Sequence, residues 1–213
     1  MEVKNKKMFY PEKFVEEQVK TIREQIRYGK VVVAVSGGVE SSVCAVLSHR
    51  AIGDQLVAVL IDDGLMRKGE RENIMNFFTD CGVNIRQVDA TREFFDACKG
   101  VNEPEEQRRV YRNAFYAVLG RIVQEEKAHY LIKGTTAADV VKTEDGIEVQ
   151  DNIFEEVGLI DSRNNGLTVV EPLRELYKHE VSRVAKSLGV PSELTDRATF
   201  PVVLDLLREN LVK

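Results

Sequence analysis

Between residues 31 and 43 the chain reads VVVAVSGGVESSV, and residues 36–42 are the ones whose types and spacing best suit chemistry. Gly37 and Gly38 let the backbone turn tightly and approach a ligand closely, and Val39 opens an apolar-periodic helix. Ser36, Ser41 and Ser42 bring hydroxyls to this turn, and Glu40 brings a carboxylate. A helix N-terminus carries unpaired N–H donors and about half a positive charge, so it stabilises an oxyanion without any basic side chain. The chemistry indicated is phosphate binding. The loop lacks the Gly-Lys-Ser/Thr ending of an ordinary P-loop and the third glycine of a dinucleotide fingerprint, so neither common nucleotide motif fits. A serine-capped strand-to-helix turn would use the same glycines, yet three hydroxyls and an acid exceed what a cap needs.

The elements that must hold this loop follow from periodicity. A β-branched run at 31–35, a continuous apolar one at 55–61, an alternating stretch at 83–89 and short strands at 129–133 and 167–170 predict buried strands. Helices are expected over 11–28, 43–49, 69–80 and 103–127, with a last one carrying Val181, Val184, Ala185 and Leu188 and closed by Gly189. The leading helix, 1–28 with its approach, is expected to pack across the sheet. Alternating strands and helices predict an α/β fold, a doubly wound parallel sheet with helices on both faces, Rossmann-like, as one domain over 1–213. Such sheets bind ligands at the carboxyl ends of their strands. Everything distinctive falls there: the Ser36 loop, Asp62-Asp63-Gly64, Asp89 and Lys133-Gly134-Thr135-Thr136. Asp89-Ala90-Thr91 alone reads better as a helix cap. Residues 137–168 lose periodicity and fill with polar residues, which predicts a mobile flap.

At 213 residues and 43% hydrophobic, the chain is large enough for a sizeable core. A net charge of −5 disfavours nucleic acid as a partner and favours small-molecule chemistry. The three cysteines, Cys44, Cys81 and Cys98, are widely spaced and form no metal or disulfide pattern, which fits a reducing cytoplasm. No apolar stretch approaches the length of a membrane span or a signal peptide, so a soluble protein is expected.

The 36–42 loop resembles SGGVDSS, the signature of the ATP pyrophosphatase (PP-loop) superfamily of adenine nucleotide alpha hydrolase-like fold. Members split ATP between the α and β phosphates and adenylate a substrate. Further segments resemble the ATP pyrophosphatase domain of GMP synthase: LIDDGLMRKGE its VDNGLLRKGE, GVNEPEEQRR its GVTDPEEKRK, and VVEPLRELYKHEVSRVAKSLGVP its LVEPLRELFKDEVR. NAD synthetase shares the loop and a similar LYK helix start. The resemblance implies ATP and Mg²⁺ as cofactors and a ligase-type, C–N bond-forming enzyme that amination of xanthosine monophosphate would exemplify. It implies a pyrophosphate site of Ser36, Gly37, Gly38, Val39, Glu40, Ser41 and Ser42, with Lys178 and Ser41 as catalytic candidates. Asp62, Asp63 and Gly64 would border the adenosine, Arg112 and Phe115 would frame its base, and Gly134 and Thr135 would close over the phosphates. Glu40 and Asp139 are the implied metal ligands. Arg67 and Lys68 read equally well as surface charges.

The departures are specific. Glu40 stands where the family has Asp, moving the carboxylate about one methylene outward under a metal that wants near-octahedral ligands at about 2.0–2.1 Å. The family's IGRTF appears as VYRNAF, and its flap stretch KSHHNVGGLP as QDNIFEEVGLI. After GVPSEL the family continues with RHPFPGPGL and a domain for dimerisation and nucleotide substrate binding, whereas this chain reads TDRATFPVVLDLLRENLVK, expected to form a closing amphipathic helix. The resemblance implies a nucleotide substrate, ammonia from a separate glutamine amidotransferase subunit, and a homodimer. Three readings stand beside it: a paralogue with another acceptor, a tRNA- or sulfur-modifying member of the superfamily, and a non-catalytic ATP-binding protein.

Overall fold

The structure, a computed structural model, describes residues 8–144 and 167–195. Five strands form one parallel sheet: β1 Lys30–Val35, β2 Leu56–Asp62, β3 Ile85–Asp89, β4 Ala128–Ile132 and β5 Thr168–Val170, in the order β3-β2-β1-β4-β5. Val33 of β1 stands opposite Ala58 on one side and Ile132 on the other. Parallel strands covered on both faces read as unbroken apolar runs, and β1 and β2 are buried on both. Successive side chains divide between two cores, with Val31, Val33 and Val35 in one and Val32 in the other.

Eight helices are described: α1 Pro11–Gln25, α2 Val39–Ile52, α3 Glu70–Asp80, α4 Thr91–Cys98, α5 Pro104–Glu126, α6 Ala137–Glu144, α7 Lys178–Leu188 and the short α8 Ser192–Thr195. The larger core gathers Ile22 of α1, Val43 and Leu47 of α2, Ile74 and Phe78 of α3, and Val181 and Val184 of α7. The second joins Phe94 of α4 to Val118, Leu119 and Ile122 of α5. Both faces are thus covered, as the alternating pattern requires. Helix α2 is apolar nearly all round because it lies between the sheet and α1 and α7. The leading helix therefore packs on α2 and α7 rather than directly across the sheet, a correction to the sequence reading.

The expected flap at 137–168 also needs correction. Its first part is helix α6, started by Thr136, whose N–H and hydroxyl donate to Asp139 Oδ2 at 2.9 and 2.8 Å. This acid reaching back to the N-cap is one half of a capping box, and it sets a helix where apolar periodicity is faint. The rest of the flap, residues 145–166, and the expected closing helix in PVVLDLLRENLVK lie outside the described residues. Helix α4 is preceded by Asp89, whose Oδ1 accepts from Thr91 N at 3.0 Å, so the cap reading of that aspartate holds.

Candidate functional site

The chain order reverses at β1: β2 lies on one side of it and β4 on the other. The crevice outside the carboxyl ends of β1 and β4 is the topological switch point, where open α/β sheets take their ligands. The 36–42 loop leaves β1 there and the 133–136 loop leaves β4 beside it. Gly134 meets Glu40 directly. A Cβ built on Gly134 would lie 3.1 Å from Glu40 Cβ and 3.3 Å from its backbone carbon, so the residue type at 134 is set by the start of α2.

Within the loop, Gly37 turns the chain with φ +78°. Ser41 Oγ accepts from Ser36 N at 3.2 Å, lies 3.2 Å from Ser36 Oγ, and donates to Gly38 O at 3.0 Å. Ser42 is fully buried and its hydroxyl donates to Gly38 O at 2.9 Å, so its proton is spent on the loop's shape. Gly38, the N-cap of α2, supplies no side-chain hydrogen bond to the first turn. The turn's N–H groups are accordingly presented to the crevice, the arrangement that binds anions. Glu40 folds back over the loop, its Oε2 within 3.6 Å of the Cβ position of Gly38. Burial pushes the Cys44 thiol strongly up, and the nearby carboxylates of Glu40 and Glu171 push it further. Its Sγ faces Lys133 O at 3.8 Å. A thiol so held is inert, which removes Cys44 from sulfur chemistry.

The 133–136 loop is tied onward. Thr135 is buried and its hydroxyl donates to Glu171 Oε1, while Glu171 Oε2 accepts from Arg174. Ala137 N donates to Leu176 O at 2.9 Å, which sets the approach to α7 beside the start of α6. Lys178 is the exposed first residue of α7, two positions beyond that bond. The sequence pattern did not single out Glu171; its place just past β5 at the carboxyl end of the sheet is the signal that could have found it.

The β2 side is built differently. Asp62 is 2% exposed: its Oδ1 accepts from Gly64 N at 3.0 Å, and its Oδ2 from Gln87 Nε2 at 3.0 Å and Arg71 Nη2 at 2.9 Å. Asp63, also buried, accepts from Leu65 N at 2.9 Å through Oδ1 and from the Tyr111 hydroxyl through Oδ2. Arg112 follows Tyr111 on α5, and its Nε is buried with no hydrogen-bond partner among the described residues. Phe115 is half-buried against the second core, with Tyr116 edge-on to its ring at 5.5 Å. Arg67 and Lys68 are exposed, as surface charges are.

The metal candidates are not brought together by any contact: Glu40 overhangs the 36–42 loop and Asp139 is engaged by Thr136. Among the described residues no three His, Cys, Asp or Glu side chains converge as a metal cage. Glu40, a carboxylate that overhangs the loop, is of the donor type Mg²⁺ takes, and that ion is ordinarily held by one or two carboxylates with substrate phosphates and water completing the shell. A cavity of about 530 Å³ lies at the β5 edge against α1, lined in part by Gln18, Thr21, Tyr130, Glu171 and Arg174; it shares Glu171 with the wall behind Thr135, and none of the 36–42 loop lines it. No helix of the described residues is long and apolar enough to cross a membrane.

A five-stranded parallel sheet with a helix start at its switch point that carries no side-chain cap defines a doubly wound α/β protein whose crevice has the geometry that suits an anion. Residues 9–200 match the NAD synthase family, and the chain belongs to it. It is 48% identical over 195 residues to a subunit of the glutamine-hydrolyzing GMP synthase of Methanopyrus kandleri, covering 91% of this chain and 60% of that one. The corresponding subunit of Archaeoglobus fulgidus is 46% identical over 190 residues, 89% of this chain and 61% of its own. The chain thus spans about three-fifths of the length of the curated relatives it matches. Among solved structures it is similar to NMN synthetase from Francisella tularensis, with a TM-score of 0.68 at 15% identity over 90% of this chain and 76% of that one. NH3-dependent NAD synthetase from Campylobacter jejuni gives 0.66 at 16% identity, over 96% and 86%. Likeness at that identity establishes the fold, and it agrees with the doubly wound sheet read from the sequence.

Proposed function

We propose that this chain is the ATP pyrophosphatase unit of a GMP synthase: it binds MgATP, releases pyrophosphate and adenylates the O2 of xanthosine monophosphate, after which ammonia displaces AMP. The observation that carries the reading is the start of α2, where Gly38 leaves the first-turn N–H groups open at the switch point and Gly134 closes the other wall. Identity of 48% and 46% to the two archaeal GMP synthase subunits supports this acceptor over others of the family.

In this reading the leaving pyrophosphate lies on the α2 N-terminus, where donors already aimed at it stabilise charge developing as the α–β bond breaks. Ser36 and Ser41 hold the loop's shape and offer hydroxyls at its rim, and Lys178 neutralises a phosphate oxygen. Thr135 fixes the opposite wall through Glu171. Asp63 and Gly64 border the adenosine, with Arg112 and Phe115 toward its base. Glu40 and Asp139 would hold Mg²⁺, which when bound polarises phosphoryl oxygens and neutralises their charge. Ammonia arrives from a glutamine amidotransferase partner, and a homodimer and a cytoplasmic setting complete the picture.

Incubating the chain with MgATP, ammonium and xanthosine monophosphate and measuring AMP and pyrophosphate tests it. AMP formation that depends on xanthosine monophosphate is the expected result. Cleavage independent of that nucleotide would reassign the acceptor, and tight ATP binding without AMP from any acceptor would leave a nucleotide-binding protein without turnover.

A further inference from the structure

Asp63 is a buried carboxylate with both oxygens engaged, one by its own loop and one by a side chain from across the molecule. The donor from across is Tyr111, 48 residues away on α5, whose ring packs on Phe94 with centroids 4.7 Å apart. The same loop is pinned on its other flank. Gly64, at φ +78°, has only 2.5 Å between its Cβ position and Thr91 Cγ2, and Leu65 is buried with Cys98 against Phe95, Val110 and Tyr111. Asp62 ties the base of the loop to Gln87 and Arg71. The 62–65 loop and the first half of α5 therefore meet at the β2 end, through the Tyr111–Asp63 bond and the packing of Leu65 against Val110 and Tyr111, and Arg112 and Phe115 follow on the same helix. Among the hydrogen bonds described above, the one from Tyr111 to Asp63 joins loop to helix.

We propose that Tyr111 is the positioning residue that sets the width of the nucleoside slot, by holding Asp63 and its loop at a fixed separation from the Arg112 and Phe115 face of α5. The inference rests on the ATP-binding reading above. Tyr111 acts through Asp63 and contacts no phosphate, so its loss weakens the nucleoside part of binding and spares the pyrophosphate part. A buried carboxylate that loses its donor is costly, whereas a neutral amide in its place is less so. The two exchanges should accordingly offset one another.

The test is calorimetric titration of the full 213-residue chain with ATP, AMP and inorganic pyrophosphate. Tyr111→Phe is expected to weaken ATP and AMP about tenfold, the scale of losing one hydrogen bond to a charged group, while pyrophosphate stays within about twofold. Adding Asp63→Asn to Tyr111→Phe should recover most of the loss, and Asp63→Asn alone, the variant to use if Tyr111→Phe does not fold, should weaken ATP and AMP by less. Unchanged ATP affinity in Tyr111→Phe overturns the inference, as does a parallel loss for all three ligands, which would mark a general packing role. Failure of the unaltered chain to bind ATP would instead overturn the ATP-binding reading, and the inference with it.

Discussion

The two halves of the candidate site reach order by opposite means. On the β1 and β4 side the geometry comes from backbone: a φ +78° turn at Gly37, a cap position with no side chain at Gly38, and contact between Gly134 and Glu40. On the β2 and β3 side it comes from side chains, with Asp62 engaging three donors and Asp63 two, while the Nε atoms of Arg71 and Arg112 stay buried without a partner among the described residues. An anion site must keep its donors open, so its walls are shaped by what is absent. Walls built from buried side chains must instead pair most of their own polar atoms, because unpaired buried polar groups are costly.

Gly134→Val is the severest challenge to this contrast. Its new atoms would start 3.1 Å from Glu40 Cβ and push the α2 start out of place. Pyrophosphate affinity should fall about a hundredfold, with a loss of stability of about 1–3 kcal/mol from overpacking. Unchanged pyrophosphate affinity by calorimetry would break the backbone half of the comparison.

Asp62→Ala attacks the other half. It removes the acceptor from Gly64 N, Gln87 and Arg71, and should cost about 2–3 kcal/mol in urea unfolding, since hydrogen bonds to a charged group are lost and buried donors are stranded. The effect on pyrophosphate affinity should be small, and a loss there as large as for Gly134→Val would erase the distinction.

Glu40→Asp sharpens the comparison at the metal. Shortening the side chain should shift the Mg²⁺ concentration needed for ATP binding by about tenfold, given the tight geometry Mg²⁺ demands. Identical Mg²⁺ dependence and ATP affinity would take Glu40 away from the metal.

Lys30→Met, at the far end of β1, serves as the small control. Lys30 donates to Glu126 at 2.8 Å, and that bond, with smaller help from the charges of Lys30 and Arg86, holds the Glu126 carboxyl below its ordinary value of 4.5. A depressed carboxyl stabilises the fold above its unfolded pKa, and the contribution disappears as pH falls through the folded value. Lys30 is exposed at 56%, so the cost should be about 0.5 kcal/mol near neutrality, fading as the pH falls below the ordinary value of 4.5. Thermal unfolding of both proteins across that range, with ligand affinity at pH 7 as the second readout, checks it.

How much of this was legible in the sequence divides along the same line. The strands were readable because both-face burial demands unbroken apolar runs, and the α2 start because glycines and serines crowd one turn. The cap at Asp89 was also readable, being local. Helix α6 was not, since its start depends on Asp139 reaching back to Thr136 in a stretch with little periodicity. Asp62 to Gln87 and Asp63 to Tyr111 span 25 and 48 residues, and spacing along a chain carries no record of which helix crosses which loop. The 36–42 loop of the candidate site is written locally, while the Asp63 and Tyr111 part exists only after folding.

Close approach at residue 134 also has a mechanical meaning. With only hydrogen on Gly134 facing Glu40, the α2 start leaves little room for a side chain in the loop that leads into α6. The bond of Ala137 N to Leu176 O ties the end of that loop to the approach of α7, whose first residue is Lys178. Three helix starts around the crevice are thereby linked by direct contacts, so a side chain introduced at residue 134 is expected to disturb all three.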